Sequence, residues 1–391
     1  MKSALFMIHF TLLALCLSSC NEKSNIVDIS TLPKATSQVV SDTNYIQIQP
    51  ASGWHGFSNP KDIKIGFDYI LYVTEPSNNR IVMVNLAGVT VGYSQYVRRP
   101  VAIAEDRRFN LIIACEYDTA VVTNGDTNIV SIAAIAKIRL FNYNHDISAA
   151  PVEIVHHENP SQQITRNTIS GNLISGREYT GVAVLPDNSY YVTRSGNNNT
   201  SSVDPDNTVL HFDKNDNEYS SDYIDLVPSL VPTGTGFVAI NQISNVTTFN
   251  TKQYGTDFIL TQIDPTNAFK VKWITFNPGS ELEAPSWGSK LSLDPTAYTA
   301  GKLPDMLSGI FVTPQAVMVD DRSNIYVIDS SLDSLMKFDL TGKLLHESFG
   351  PSKSGNALLH PYGIAYFNKI VYISDTGHNR ILRYELSTDL K

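Results

Sequence analysis

One sequence pattern recurs along this chain, and the repetition constrains the fold more than any single motif does. Residues 71–86, 325–340 and 371–386 each predict a strand, a polar turn and a second strand. The turn begins after an acidic residue and, in two of the copies, ends at an arginine. The matching residues are Tyr72, Tyr326 and Tyr372, then Glu75, Asp329 and Asp375, then Arg80, Ser334 and Arg380.

A short apolar run, usually opened by a proline, precedes each copy, and weaker units of the same kind fill the middle of the chain. Each unit supplies an inner strand, a second strand that ends in a polar turn, a third strand and often a fourth. Two spacings are nearly double the others, so we assign the excess to insertions at 142–177 and 278–309. The six predicted units begin near residues 60, 100, 180, 236, 314 and 361.

Four-stranded units of this length cannot bury their own faces, and stacking them around an axis solves that problem. We therefore predict an all-β fold over residues 44–391, a six-bladed β-propeller of four-stranded antiparallel blades. The last unit stops after its third strand. The missing strand is available in residues 44–50 (NYIQIQP), and its pairing with the last blade would close the ring and leave no open sheet edge.

The succession of proline, apolar strand, Tyr-Val-x-Asp strand end and Asx-Arg-Ile turn resembles the NHL repeat. The units at Pro60 and Pro361 carry most of the resemblance, and the unit at Pro314 carries part of it. The resemblance implies a six-bladed propeller whose functional mouth lies on the face with the loops that lead into the innermost strands.

The repeated turn has a structural explanation that does not involve catalysis. The carboxylate of Asp375 can accept backbone N–H groups of the following turn, and Arg380 begins the third strand within its reach. The same pair recurs as Glu75 and Arg80. Because an active site normally occurs once in a domain, we interpret these residues as scaffold.

The N-terminal residues predict export and a lipid anchor. Lys2 and an apolar run precede small residues, so residues 1–19 have the pattern of a signal peptide. The last residues of that segment, with Cys20, resemble the lipobox of bacterial lipoproteins. The resemblance implies acylation of Cys20, with palmitate-like chains, and a membrane anchor through that lipid. The polar residues that follow, to residue 43, predict a flexible tether.

The net charge of the chain indicates its partners, and the residue after Cys20 indicates its location. The formal net charge is −9, and loss of residues 1–19, which hold one lysine and no acid, makes it −10. Nucleic acid is therefore not an expected partner, because it requires basic clusters. Asn21 is not the aspartate that retains enteric lipoproteins in the inner membrane, so we expect outer-membrane attachment in a Gram-negative host, on either the periplasmic or the surface side.

The third cysteine is predicted to be inert. Cys16 leaves with the signal and Cys20 carries lipid, so Cys115 has no disulfide partner in an exported protein. It lies in an apolar run, which predicts a buried thiol rather than a nucleophile.

Two enzyme classes on related propellers suggest metal sites to consider. The α-amidating lyases of the NHL type place zinc-binding histidines after the prolines, but this chain has Lys61, Val101, Gln315 and Tyr362 there, which argues against that triad. Calcium-dependent lactonases of the gluconolactonase type use acidic and amide side chains around the axis. The carboxylates at the corresponding strand ends would bind calcium if they converged, or would face their own turns. The six strand-end residues are Glu75, Glu116, Arg194, Gln262, Asp329 and Asp375.

Four residues are candidates for ligand contact. Arg194 interrupts the acidic pattern, so it would either neutralise nearby acids or hold an anionic ligand. His360, Tyr362 and His378 lie around the opening of the last blade.

The run DKNDNE at 213–218 lacks the glycine and the glutamate of a calcium loop and predicts a hairpin turn instead. Residues 124–128 and 195–208 predict turn-rich loops that shape the mouth.

Three functions fit these observations. The first is a membrane-anchored, non-catalytic propeller that binds a protein, peptide or glycan at its top face and loop insertions. The second is a metal-dependent hydrolase or lyase of the lactonase type, with an acidic central site. The third is a structural component of an envelope assembly.

Overall fold

The computed structural model confirms the all-β class and the ring of six blades. It describes residues 44–390 except for 124, 160–163, 167–172, 198–203, 220–238, 250–254, 281–282, 284–285, 291–303 and 351–357. The predicted signal peptide, Cys20 and the tether lie outside the described residues. Helices in the described part are short 3-10 turns, and none has the length and apolar character of a membrane span.

The strands follow the blades in chain order, and β1 (Tyr45–Gln47) comes before the first blade. Blade one contains β2 (Ile63–Ile65), β3 (Leu71–Glu75), β4 (Arg80–Val84) and β5 (Thr90–Tyr93). Blade two contains β6 (Ala102–Glu105), β7 (Asn110–Thr123), β8 (Asp126–Arg139) and β9 (Val152–His157), and a separate hairpin, β10 (Ile164–Arg166) and β11 (Leu173–Ser175), follows it.

Blade three contains β12 (Arg177–Val184), β13 (Tyr190–Gly196) and β14 (Thr208–Phe212), and blade four contains β15 (Ile243–Thr248), β16 (Phe258–Gln262), β17 (Val271–Asn277) and β18 (Ser286–Ser289). Blade five contains β19 (Pro314–Val319), β20 (Ile325–Asp329) and β21 (Ser334–Phe338). Blade six contains β22 (Ile364–Phe367), β23 (Ile370–Asp375) and β24 (Arg380–Leu386). Isolated bridges from Glu218, Leu344 and Phe349 mark the fourth-strand positions of blades three and five.

Apolar packing between neighbouring blades stabilises the ring. The second strands β3, β16 and β20 are buried along their whole length, because a neighbouring blade covers each of their faces. Six buried clusters, one at each junction between blades, make up the core of the described residues. Tyr72, Tyr326 and Tyr372, the repeated tyrosines, are buried at three of these junctions.

The N-terminal strand closes the ring, as predicted. β1 pairs antiparallel with β24, with Tyr45 opposite Leu386 and Gln47 opposite Tyr384. Trp54 continues the connection through an antiparallel bridge to Ile381. Blade six thus takes one strand from the start of the described chain and three from its end, which leaves no unpaired edge on β24.

The two predicted insertions are smaller than the sequence indicated. The segment 142–177 includes β9, the fourth strand of blade two, and the segment 278–309 includes β18, the fourth strand of blade four. The prediction assigned both strands to insertions because neither has the continuous apolar run of the inner strands. Only the remainder of each segment, including the β10–β11 hairpin, is additional to the blades.

The second hairpin of blade two extends far beyond the blade. β7 and β8 pair without interruption from Asn110 opposite Arg139 to Thr123 opposite Asp126. The predicted loop at 124–128 is shorter than expected, because Thr123 pairs with Asp126, and Asp126 and the residues after it belong to β8. We call residues 117–123 and 125–132 the arm. The arm begins after Glu116, the position that corresponds to the last residue of the second strand in the other blades.

Candidate functional site

The turns between second and third strands lie on the same face of the ring as the loops that lead into the innermost strands, because successive strands of a blade are antiparallel. We call this the upper face. It includes the turns at 76–79, 330–333 and 376–379 and the lead-in loops at 57–61, 98–101 and 358–362. The arm also projects from it.

The carboxylate of Glu75 faces its own turn and its own lead-in loop. It accepts hydrogen bonds from the backbone N–H of Ser58 (2.7 Å), the amide of Asn78 (3.0 Å) and the guanidinium of Arg80 (2.7 Å). Its side chain is fully buried. A carboxylate with three donors is already satisfied, and it ties the turn to the loop that opens the blade.

Asp375 repeats this arrangement in blade six. It accepts hydrogen bonds from the backbone N–H of Leu359 (2.7 Å) and the guanidinium of Arg380 (2.6 Å). His378 Nδ1 lies 2.9 Å from the same carboxylate oxygen that accepts from Arg380, as Asn78 shares an oxygen of Glu75 with Arg80 in blade one. The candidate His378 therefore contacts the turn through Nδ1, while 41% of its side chain remains exposed on the upper face.

Asp329 and Gln262 also accept hydrogen bonds from the loops that lead into their blades. Asp329 accepts hydrogen bonds from the backbone N–H groups of Val312 (2.7 Å) and Thr313 (3.1 Å). Gln262 Oε1 accepts one from the backbone N–H of Asn241 (3.0 Å). These strand-end side chains bind the loop that leads into their own blade.

Glu116 is the strand-end acid that differs. It forms ion pairs with the guanidinium groups of Arg98 (3.3 Å) and Arg99 (2.7 Å), both from the lead-in loop of blade two. Burial raises the pKa of its carboxyl above the usual value, although the two arginines oppose that shift. Glu116 is also partly exposed, so it is the strand-end acid most accessible from the upper face.

A second set of turn residues links each blade to the next. An Asx side chain in the turn of one blade accepts the backbone N–H of the residue that precedes the next inner strand, and that residue has a positive φ. The four links are Asn79 to Arg99 (2.9 Å), Asn207 to Gln242 (2.7 Å), Asp333 to His360 (2.7 Å) and Asn379 to Asn59 (2.6 Å).

The Asx link explains the repeated asparagine, and its removal has a measurable consequence. The Asn379→Gly variant should lose about 1 kcal/mol of unfolding free energy, because glycine tolerates the positive φ but cannot accept the N–H of Asn59. Asn368→Gly is the matched control, since Asn368 also has a positive φ but no side-chain hydrogen bond among the described residues. Urea unfolding of both variants measures the difference, and equal losses would contradict the assignment.

Arg194 belongs to a buried network of charges. Its guanidinium contacts Glu158 (2.9 Å) and Asp204 (2.5 Å). Arg177 contacts the same two acids at 2.9 and 2.8 Å and Asp206 at 3.0 Å. Burial alone would raise the pKa of Glu158, but the two arginines outweigh it and hold the pKa below its usual value. Neutralisation of nearby acids is thus the role that the geometry displays, and an anionic ligand would have to displace these acids.

Lys61 and Tyr362 meet at the upper end of the axis. Lys61 Nζ lies 4.6 Å from the centroid of the Tyr362 ring, a cation–π contact between blades one and six. Burial, and then the charge of Arg99, lowers the pKa of Lys61. Burial, and then the charges of Asp62 and Glu178, raises the pKa of the Tyr362 hydroxyl. Glu178 lines a pocket with Arg99 and Glu116, and its exposed side chain has no ion pair with a described residue.

Three of the four ligand candidates thus lie at the upper face near blade six. Tyr362 lines the mouth, and His360, which is exposed, contacts the carbonyl of Ser330 through Nδ1 at 3.3 Å. The turn of His378 is joined to that loop, because the backbone N–H of Gly377 donates to the carbonyl of Leu359. Arg194 lies in blade three instead. Sequence reasoning did not select Lys61 or Glu178 as site residues, because they belong to different blades and come together only when the ring closes.

The described residues contain no group of three or more histidine, cysteine or acidic side chains that could hold a metal ion. The carboxylates of Glu75, Asp329 and Asp375 accept hydrogen bonds from their turns and lead-in loops. Glu116 is partly exposed and Glu178 is fully exposed. Calcium binding by these side chains stays a prediction.

Two other predictions are confirmed. Cys115 is a free, buried thiol, and burial raises its pKa to about 12, which makes the thiolate scarce at neutral pH. Residues 213–218 form a hairpin turn, closed by the backbone bond from Asp213 to Asn217 and the bridge from Phe212 to Glu218.

Comparison with known proteins identifies the fold but no family. The sequence matches no known protein-family model, and no curated protein matches it. A Bacteroides thetaiotaomicron protein of unknown function is 12% identical, with a TM-score of 0.52 over 88% of this chain and 76% of that one. The six-bladed fold therefore has structural neighbours in Bacteroides.

Two further solved structures have the same TM-score, 0.52. An auxiliary nutrient binding protein from Bacteroides ovatus is 10% identical over 89% of this chain and 76% of its own. A luciferin-regenerating enzyme is 9% identical over 88% of this chain and 95% of its own. The fold is thus shared with a binding protein and with an enzyme, so the fold by itself does not determine the function.

Proposed function

We propose that this chain is a lipid-anchored, non-catalytic propeller that binds a protein, peptide or glycan through its upper face. The observation that carries the proposal is the arm, which extends the upper face although the blades do not require it. Lipidation at Cys20, the tether and an outer-membrane location complete the proposal, and the acidic net charge favours partners other than nucleic acid.

The two faces of the arm differ in how far their side chains are exposed to solvent. Val130 and Ile132 lie on one face and are buried to 1% exposure. Ala120 and Ile129 pair across the strands on the other face, and Val122 lies on that face because side chains alternate along a strand. Val122 and Ile129 are 69% and 67% exposed. A raised, exposed apolar surface of this kind is typical of an interaction site.

Charged groups at the base of the arm continue this surface toward the mouth. Arg98 contacts Asp118 (3.0 Å) and Ser131 (3.1 Å), which lie on the same face of the hairpin as Ile129. Glu116 and Arg99 come next. A ligand on the upper face would therefore meet apolar contacts on the arm and polar contacts at its base, the combination found in specific interfaces.

Paired serine substitutions test this function. The V122S/I129S variant should recover at least about tenfold less partner than wild type after crosslinking in intact cells and pull-down, because two apolar contacts are lost. The V89S/V91S variant is the matched control, since Val91 on the outer strand of blade one and Val89 just before that strand are 55% and 59% exposed. Equal recovery by both variants would contradict a role for the arm.

A metal-dependent hydrolase is the second candidate, and Glu116 favours it. Its partly exposed carboxylate has a raised pKa, and it lines a pocket together with Arg99 and Glu178. One of the proteins with the same fold is an enzyme. Metal analysis of the purified chain after reconstitution with calcium or zinc separates the two candidates. One tightly held ion per chain, lost in Glu116→Gln, would favour the hydrolase.

A further inference from the structure

The arm has one strand edge that no described strand covers. At the base of the arm, β7 makes backbone hydrogen bonds on the side away from β8. The carbonyl of Ala114 accepts the N–H of Val101 (2.9 Å), and the N–H of Glu116 donates to the carbonyl of Arg98 (3.0 Å). The even-numbered residues of β7 therefore direct their backbone groups away from β8, toward the lead-in loop of blade two.

The same alternation continues through the arm, because the pairing of β7 with β8 contains no bulge. Asp118, Ala120 and Val122 therefore present their backbone N–H and C=O groups on the edge of β7. None of these groups has a hydrogen-bond partner among the described residues, and all three residues are exposed. The last backbone hydrogen bond of the described lead-in loop to this strand is the one at Glu116. The open edge from Asp118 to Val122 is thus about 14 Å long.

This edge lacks the usual protection against pairing with another strand. Residues 118–122 contain no proline, lysine or bulge, which are the features that commonly protect sheet edges. Their one charged side chain, Asp118, is held by Arg98 at 3.0 Å. On the other side of the hairpin, β11 lies beside β8. The edge of β7 is therefore the more open of the two, and it lies on the axial side because β6 is the innermost strand of the blade.

We propose that the β7 edge of the arm binds an extended peptide segment of a partner protein, which adds to the sheet as a strand beside Asp118, Ala120 and Val122. The proposal rests on the proposed upper-face function and narrows its partner to a polypeptide. Backbone donors and acceptors that repeat at every second residue match another strand, whereas a glycan has no such repeat. Apolar side chains at alternate positions of the peptide would contact Val122 and Ile129, which are 69% and 67% exposed beside the edge.

A second copy of this chain suits the edge less well. Two arms that paired through residues 118–122 would bury far less than the roughly 1,200 Å² of a stable interface. Each copy also has a formal net charge of −9, so the two chains repel each other. A peptide strand needs no comparable area, because the sheet edge supplies main-chain hydrogen bonds and the apolar face supplies specificity.

Random peptides of about ten residues, displayed on phage and selected against the purified full chain, test strand addition. Ala120→Pro should weaken the binding of selected peptides at least about tenfold, because the edge loses a donor and the proline ring obstructs an incoming strand. The variant should fold as wild type does, since the N–H of Ala120 points away from β8 and edge strands accept proline there. Thr127→Pro is the matched control, because Thr127 lies opposite Val122 and directs its N–H to the other edge of the arm.

N-methylation of a selected peptide adds a second readout. Methylation at alternate positions should weaken binding at least about tenfold, and methylation at the intervening positions should not, because only every second N–H of an added strand faces β7. Failure to select any peptide, equal binding to wild type and Ala120→Pro, equal losses in the two proline variants, or methylation effects without alternation would overturn strand addition. Loss of partner recovery in V122S/I129S alongside any of these results would still support the upper-face function.

Discussion

The Glu158→Ala variant is expected to lose about 3–5 kcal/mol of unfolding free energy, because it removes the buried one of the two acids that two buried guanidinium groups share. Glu158 accepts hydrogen bonds from Arg177 (2.9 Å), Arg194 (2.9 Å) and the Tyr179 hydroxyl (2.9 Å). The side chains of Arg177 and Arg194 are 2% and 6% exposed, so water cannot replace the lost acceptor. Urea unfolding at pH 7 measures the effect.

Glu153→Ala is the matched control for this experiment. Glu153 forms an ion pair with Arg139 at 3.0 Å, but the two side chains are 45% and 33% exposed. Removal of such a surface pair should change the unfolding free energy by about 0–1 kcal/mol. Similar losses in the two variants would show that the buried network does not stabilise the fold.

The network also has a pH signature. The native pKa of Glu158 lies below its usual value, so the unfolded chain binds its proton more readily. The stabilisation is therefore present above the unfolded pKa, about 4.3, and is lost as the pH falls through the native value. Wild type should lose more stability than Glu158→Ala when the pH falls below about 4.

The second large effect is expected for Gly363→Ala, which should lose about 1–3 kcal/mol. Gly363 lies where the inner strands of blades six and one approach each other. A Cβ atom there would lie 2.5 Å from the carbonyl oxygen of Lys61 and 2.9 Å from Asp62 Cα. These are backbone atoms in a closed ring, so they cannot move aside without disturbing another junction.

A second alanine substitution controls for the general effect of replacing glycine. A Cβ at Gly350 would meet nothing within 4 Å, and Gly350 is among the glycines without a positive φ. Gly350→Ala should therefore leave the unfolding free energy within about 0.5 kcal/mol of wild type or raise it slightly. A tolerated Gly363→Ala would indicate that the inner strands of the ring are more loosely packed than the structure shows.

The repeats allowed the fold to be predicted because each blade depends on local chemistry. The acid and arginine of the turn, as in Glu75 and Arg80, lie close in sequence and contact each other directly. Ring closure was also predictable, since blade six lacked a strand and residues 44–50 supplied one. The outer strands β9 and β18 were missed because neither is a continuous apolar run, and strand counting relied on such runs.

The arm had a sequence signal that was interpreted too narrowly. Asn124-Gly125 lies between β-branched runs that include Val121, Val122 and Ile129, and this is a strong hairpin signal. It predicts the turn but not the length of the strands. The contacts of Arg177 with Glu158, and of Lys61 with Tyr362, link residues far apart in sequence. Such contacts depend on how blades meet, so no local pattern predicts them.

Site-specific photocrosslinking in intact cells tests the proposed role of the upper face most directly. A benzophenone amino acid at position 122 on the arm is compared with the same amino acid at position 91 on the outer strand of blade one, where exposure is similar. A ligand of the upper face should give a discrete adduct from position 122 and none from position 91. Adducts from position 91 alone, or equal adducts from both positions, would contradict it.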